Sequence, residues 1–416
     1  MSEPIGRVRG VRGLTLTAHV PTARRGDWLQ IARRDSAPLD AEVIAFDEQS
    51  ATLMPLGSVH GVGPDDAIHW LGSALSVRCS PGLLGRVVDG IGRPLDGGPE
   101  LEGEPWPIVR AAPAAFDRPR ISRVMPTGVR AIDALCTVGE GQRIGLFAPS
   151  GVGKTTLLGR IAEHTDADVI VTCLIGERGR ELNEFRQDAL GTRTRPRSVM
   201  VCSTSDASPL ERMKSAQLAT TFAEYFRARG QRVLLLVDSL TRLVRAAREV
   251  GLAAGEPPAR RGFPPSAFSE LAPLLERAGL TKDGSITAFY TVLVEGNDLD
   301  EPVADEVRGL VDGHLVLDRA LAQRGHYPPL DVSKSLSRSM HAIVTPAQQR
   351  GAEYVRSLLS HYEAKRDLVE LGAVPAGADP LLDRALAKLP AIQQLLRQER
   401  REVSDFADTL QRLLAL

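Results

Sequence analysis

Apolar residues fall into three successive patterns along the chain. Over residues 1–73, short apolar segments (Leu14–Val20, Trp28–Ala32, Glu42–Asp47 and Ser50–Met54) are separated by Pro, Gly and Asp turns. That spacing predicts a small β-barrel. From about 121 to 346, strand-like runs alternate with helical patterns. The runs are Arg143–Phe147, Asp168–Ile175, Ser198–Cys202, Val233–Val237, Ile286–Leu293 and Gly313–Leu317, and the longest helical pattern is Pro209–Arg229. Such alternation predicts a mostly parallel sheet covered on both faces. Residues 347–416 carry no strand pattern. Leu381, Leu382, Ala385, Leu386 and Leu389 recur at helical spacing, as do Ile392, Leu395 and Leu396. The expectation is a multidomain α/β chain with a barrel over 1–73, an α/β domain over 74–346 and a helical domain over 347–416. The Gly- and Pro-rich residues 81–113 read as an extended crossover. The charged stretch Arg397–Glu402 reads as a solvated helix face, with partner docking second.

Composition narrows this little. The chain has 416 residues and a formal net charge of -1, so bulk electrostatics favour no partner class. Arg7, Arg9, Arg12, Arg24, Arg25, Arg33 and Arg34 make the barrel basic, which a solvated surface explains better than an anion-binding face. No apolar run is long enough to span a bilayer, and the start lacks a signal-peptide core. Cys79, Cys136, Cys173 and Cys202 form no C-x-x-C pair and read as buried free thiols of a reducing, cytoplasmic protein. Aromatic residues make up 4%, too few for a base-stacking scheme on nucleic acid.

The chemistry begins at Ala148–Thr156, which reads Ala-Pro-Ser-Gly-Val-Gly-Lys-Thr-Thr directly after the apolar run Ile144–Phe147. A strand that enters a glycine-bearing loop and opens a helix gathers backbone N–H groups around polyphosphate. Ser150, Gly151, Val152, Gly153, Lys154, Thr155 and Thr156 are the expected nucleotide-binding residues. Lys154 can reach the β- and γ-phosphates, and the Thr155 hydroxyl can bind Mg²⁺. Ala148 stands where the G-x-x-x-x-G-K-[ST] pattern has its first glycine, a position that tolerates a small residue.

Two further elements suit nucleotide hydrolysis. Leu234-Leu-Leu-Val-Asp238 is an apolar strand ending in a carboxylate, which beside a phosphate loop can hold Mg²⁺ through water. Gly176-Glu-Arg-Gly-Arg-Glu181 follows the run Val169–Ile175. A carboxylate at a strand end can polarise an attacking water, and Glu177 is the candidate. Arg178 can stabilise equatorial phosphate oxygens or orient Glu177, and Glu181 can reach a Mg-bound water. Without the phosphate loop, the same residues would read as a charged surface loop. A third element is Pro328-Pro-Leu-Asp-Val-Ser-Lys-Ser-Leu-Ser-Arg338, preceded by Tyr327, whose ring can pack against adenine.

Taken in order, these elements resemble the α/β subunits of rotary ATP synthases, and the last fits the signature P-[SAP]-[LIV]-[DNH]-x3-S-x-S. Other phrases resemble the type III secretion and flagellar export ATPases: Gly255-Glu-Pro-Pro258, Gly262-Phe-Pro-Pro-Ser266, Leu274-Leu-Glu-Arg-Ala-Gly279, the segment Val294–Asp305, Arg324-Gly-His-Tyr-Pro328, Asp379-Pro-Leu-Leu-Asp-Arg-Ala385 and Leu389-Pro-Ala-Ile392. The resemblance spans essentially the whole chain. It implies a RecA-like P-loop NTPase domain in a homohexameric ring with ATP at subunit interfaces. It implies that Glu177 is the catalytic carboxylate, that Arg338 acts in trans on the neighbour's ATP, and that Arg242 lies near the γ-phosphate. The loop Gly255–Ser266 would face the central channel and a coiled-coil stalk, or serve as a rigid proline-rich connector. Many relatives carry an extra N-terminal segment used in stator docking and ring assembly, and this sequence opens almost directly on the barrel. Lys334 puts a charge at a variable position near Arg338.

The implied function is Mg-dependent ATP hydrolysis that energises type III protein secretion, by stripping chaperones and unfolding cargo at the inner-membrane export gate. The partners would be the stalk, a stator regulator, chaperones and cargo, without nucleic acid. Flagellar export is the nearest alternative. A hexameric nucleic-acid translocase and a non-catalytic ring subunit are alternatives of other classes. Balanced charge and few aromatics weigh against the translocase, and intact Lys154, Glu177 and Asp238 weigh against the inactive subunit.

Overall fold

A computed structural model describes residues 3–34, 36–295, 298–375, 377–400 and 402–416. Six strands make the N-terminal region: β1 (Gly6–Arg12), β2 (Thr15–His19), β3 (Trp28–Ile31), β4 (Leu39–Phe46), β5 (Ala51–Pro55) and β6 (Ala67–Gly72). They close into an antiparallel barrel in the order β1-β2-β5-β4-β3-β6, with β6 returning to β1. Closure leaves no free edge. Val8, Leu16, Leu29, Ile31, Val43 and Leu53 fill the interior.

Two short strands, β7 (Ser76–Cys79) and β9 (Glu104–Pro107), form a separate antiparallel pair, and β8 (Val87–Val88) joins the edge of the main sheet beside β12. The glycine-rich stretch expected as a plain crossover therefore contributes to the sheet. Two-residue pairing is too short to leave a periodic signal in sequence.

The main sheet contains β10 (Arg143–Ala148), β11 (Val169–Glu177), β12 (Ser198–Thr204), β13 (Arg232–Asp238), β14 (Gly279–Leu280), β15 (Ser285–Leu293), β16 (Gly313–Val316) and β17 (Leu336–Ser337). Its order is β17-β16-β10-β15-β13-β11-β12-β8, with β14 paired off the path to β15. The central pairs are parallel, while β14 and β17 pair antiparallel. Central strands are continuously apolar because both faces are buried. Alternate residues enter opposite cores. Val169, Val171, Cys173 and Ile175 face one, and Ile170 and Leu174 face the other.

The first core is covered by the helix Pro209–Arg227. Its cap is Ser208, which accepts from the Glu211 N–H, with Pro209 in the first turn. The second is covered by the helix Lys154–His164 and also holds Val355, Leu358, Ala385, Ile392, Leu395 and Leu413 from the C-terminal helices Pro346–Glu370, Pro380–Leu396 and Phe406–Leu414. The phosphate-loop helix and the C-terminal region thus share one apolar core. The barrel is seated by Trp28, Ile44, Met54 and Leu56 against Leu210, with a mostly buried Lys214–Glu42 ion pair of 2.6 Å beside them.

The stretch Arg397–Glu402 is not a helix face. Its described residues form an irregular connector after Leu396, and Arg401 lies outside the described residues. The reason is chemical. Arg130 donates to the carbonyls of Gln394, Leu395 and Arg397, so side-chain donors replace the amides that would continue the helix.

Candidate active site

The carboxyl ends of β10, β13 and β15 lie level with one another, since Ala148 pairs with Leu293 and Tyr290 with Val237. Ligands on parallel sheets bind outside such strand ends. Here the ends open into a cavity of about 950 Å³ lined by Ser150, Gly151, Gly153, Lys154, Thr155 and Thr156. Gly151 and Gly153 have φ of +79° and +92°, a region that favours glycine, and Gly153 caps the helix that begins at Lys154. Val152 faces the other way and is buried in the second core.

Asp238, the last residue of β13, is buried and opposes Lys154 as a direct ion pair. Its Oδ1 also accepts from the Thr291 hydroxyl at 2.7 Å. β15 is the one strand between β10 and β13, so it brings Thr291 to the carboxylate while the parallel pairing holds Lys154 and Asp238 at its two sides.

Glu177 ends β11 at a bulge against β12. Its side chain is 13% exposed and lines the same cavity. Burial, a hydrogen bond with Glu181 and the nearby Asp238 charge push its pKa up to about 7, while Arg242 and Lys154 pull it down. Arg242, in the first turn of the helix Leu240–Ala253, places its Nε 3.4 Å from Glu177 Oε1 as an ion pair, without the geometry of a hydrogen bond. Gly176 makes room for it. A Cβ there would stand 3.0 Å from Arg242 Cδ, and φ is +65°.

Arg178 and Glu181 also line the cavity, and their side chains are separated by 4.0 Å. Arg178 is 82% exposed and points no charge at Glu177 in any described contact. Tyr327 and Arg338 are not among the lining residues. Tyr327 is 51% exposed. Arg338 follows β17 at the sheet's edge and is exposed, and among the described residues its side chain makes one long hydrogen bond, of 3.5 Å to the Arg308 carbonyl. Lys334 is paired with Asp331 at 3.0 Å.

No group of three or more His, Cys, Asp or Glu side chains able to hold a metal occurs among the described residues. For a metal the cavity instead offers the strand-end carboxylate of Asp238, with the Thr155 hydroxyl and Glu181. That sparse oxygen set fits Mg²⁺, which keeps waters and arrives with substrate phosphates. Motif reading did not find Thr291, nor Phe185, Asp188, Arg400 and Val403, which line the cavity's other walls.

Residues 128–337 match the ATP synthase alpha/beta family, nucleotide-binding domain, and residues 344–415 match the T3SS EscN ATPase C-terminal domain. The "Type 3 secretion system ATPase" of Pseudomonas syringae pv. syringae is 48% identical over 99% of this chain and 93% of its own length. The chain belongs to the type III secretion ATPases. The family includes flagellar relatives, and the "Flagellum-specific ATP synthase" of Treponema pallidum is 48% identical over 100% of this chain and 94% of its own. The assembled ATPase EscN from the type III secretion system of enteropathogenic E. coli superposes with a TM-score of 0.94 at 44% identity, covering 99% of both chains. EscN in complex with its central stalk EscO gives a TM-score of 0.91 at the same identity and coverage. This family and the phosphate-loop geometry identify the chain as a P-loop ATPase.

Proposed function

We propose that this type III secretion ATPase works as a homohexamer whose nucleotide sites lie between copies. ATP occupies the cavity around Lys154, with Ser150–Thr156 around its phosphates and Tyr327 against adenine. Thr155, Asp238 and Glu181 hold Mg²⁺, which when bound offsets phosphate charge. Glu177 orients and deprotonates the attacking water, and Arg242 holds its carboxylate in place. Arg178 stabilises equatorial phosphate oxygens or orients Glu177. Arg338 of the next copy completes the site, where a guanidinium stabilises charge on the transferring group.

The observation that supports this is the split itself. Lys154, Glu177, Asp238 and Arg242 line one cavity, while Arg338 stands exposed at the sheet's far edge. Mixing subunits tests it. Lys154→Ala and Arg338→Ala chains are each inactive alone, and mixtures regain part of the activity, because some interfaces pair an intact loop with an intact arginine. No recovery in rings shown to be mixed rejects action in trans.

Hydrolysis energises export of cargo released from chaperones. The loop Gly255–Ser266 meets a coiled-coil stalk, as EscN is solved with its stalk EscO. No helix of the described residues is long and apolar enough to cross a membrane. We place the ATPase in the cytoplasm, peripheral to the inner-membrane export gate and its stator regulator, without nucleic acid among its partners. Flagellar export is distinguished by deletion in the source cell: lost effector export with intact motility supports secretion, and the reverse supports the flagellum.

A further inference from the structure

The phosphate-loop helix carries an arginine that the chemistry above does not use. Arg160 lies six residues beyond Lys154, about 9 Å along the helix axis, and lines the same cavity although it is only 7% exposed. Its Nη1 donates to the Glu399 carbonyl at 3.0 Å and its Nη2 to the Glu402 carbonyl at 2.7 Å. Its Nε is buried without a hydrogen-bond partner. Burying a guanidinium is costly, and an apolar side chain would serve the surrounding core at least as well. The arginine therefore supplies a specific tie.

The tie reaches the connector between the helices Pro380–Leu396 and Phe406–Leu414. A second anchor holds that connector. Gln398 is buried, donates to the carbonyls of Gly128 and Glu402 at 2.9 and 3.1 Å, and accepts from the Arg130 N–H at 3.0 Å. Arg130 also pairs with Glu402. Fixed in this way, the connector brings Arg400 and Val403 to the wall of the cavity that contains Lys154. Val403 is 74% exposed, so it has surface to offer a ligand.

We infer that Arg160 is a positioning residue for nucleotide, tying the phosphate-loop helix to the connector so that Arg400 and Val403 close the end of the cavity remote from Lys154. This rests on nucleotide occupying that cavity. The consequence is reciprocal by linkage. A connector held in place tightens nucleotide, and bound nucleotide steadies the connector, so the C-terminal helices register site occupancy through Arg160.

The experiment uses the full chain, with ADP as the binding probe and trypsin as the reporter, since Arg397 and Arg400 are exposed cleavage sites. In the wild type, saturating ADP slows cleavage at these arginines. Arg160→Gln weakens ADP binding and raises KM for ATP roughly tenfold, within the ordinary range of site coupling. It leaves kcat at saturating ATP within about twofold, and ADP no longer protects the connector. Arg160→Lys, which can reach one carbonyl but not both, falls between and carries the test if the glutamine variant does not fold. Unchanged KM with protection retained in either folded variant overturns the inference, as does lost kcat at unchanged KM. Lys154→Ala separates the two levels. If it keeps ADP affinity, the cavity assignment fails. If it loses ADP while Arg160→Gln behaves as wild type, only the role of Arg160 fails.

Discussion

The nucleotide-binding sheet carries chemistry-bearing side chains in two places, and they are built differently. At the ends of β10, β11 and β13, each charge has an answering group: Lys154 with Asp238, Asp238 with Thr291, and Glu177 with Arg242. These side chains are largely withdrawn from solvent. At the opposite edge, the exposed Arg338 side chain has one long hydrogen bond to a carbonyl among the described residues. The difference separates what one copy organises by folding from what, in the function proposed above, a neighbouring copy would complete.

The largest effects should come from breaking that division. Arg338→Ala should cut kcat about 10³–10⁵-fold with nucleotide affinity nearly intact, as read by steady-state ATPase assays and fluorescent-nucleotide titration. Loss of affinity to the same degree would move Arg338 from the transition state to ground-state binding. Glu177→Gln should lower kcat by about 10²–10⁴-fold, again with binding retained. Wild-type turnover in that variant would remove Glu177 from the chemistry.

The same substitution also reports on the finished side through stability. Glu177 titrates near 7 in the folded chain against an ordinary 4.5. Between those values the folded chain holds more protons than the unfolded one, so its unfolding free energy falls as pH rises. Glu177→Gln should therefore leave Tm nearly unchanged near pH 4 and stabilise by about 3 kcal/mol at pH 8. A gain that is the same at both pH values would show that the carboxyl is not held in its neutral form. Thr291→Val should cost about 1–3 kcal/mol in stability by removing the hydroxyl that shares Asp238 Oδ1 with Lys154, measured by denaturant unfolding. On the open side, Lys334→Ala should change stability by about 0–1 kcal/mol and leave turnover unaltered, since its ion pair with Asp331 lies at the surface.

The sequence made much of the finished side legible because its parts are contiguous. Ala148–Thr156 occupies one strand–loop–helix, and Asp238 and Glu177 each end a strand whose apolar run is visible in the chain. Thr291 was not legible. It is a single polar residue in the apolar strand Ser285–Leu293, and only the parallel register sets it against Asp238. The barrel's first strand escaped notice because Gly6–Arg12 buries Val8 alone, so its alternation looks like a basic tail. The connector misled for the opposite reason. Arg397–Glu402 has the composition of an exposed helix, and the donors that undo it, Arg130 and Arg160, are more than two hundred residues away. Composition reports local preference, while these outcomes depended on which distant hydrogen-bonding groups came to lie nearby.

All four native thiols are sealed inside the chain, and apolar surroundings push those of Cys79 and Cys202 up to about 12. Cys136 and Cys173 are raised for the same reason. Maleimides and other alkylating dyes attack the thiolate, so the unaltered polypeptide is effectively silent to them. A lone cysteine engineered at an exposed position would then be the sole labelling point, and spectroscopic rulers could follow adjoining protomers through a catalytic cycle without first stripping the background.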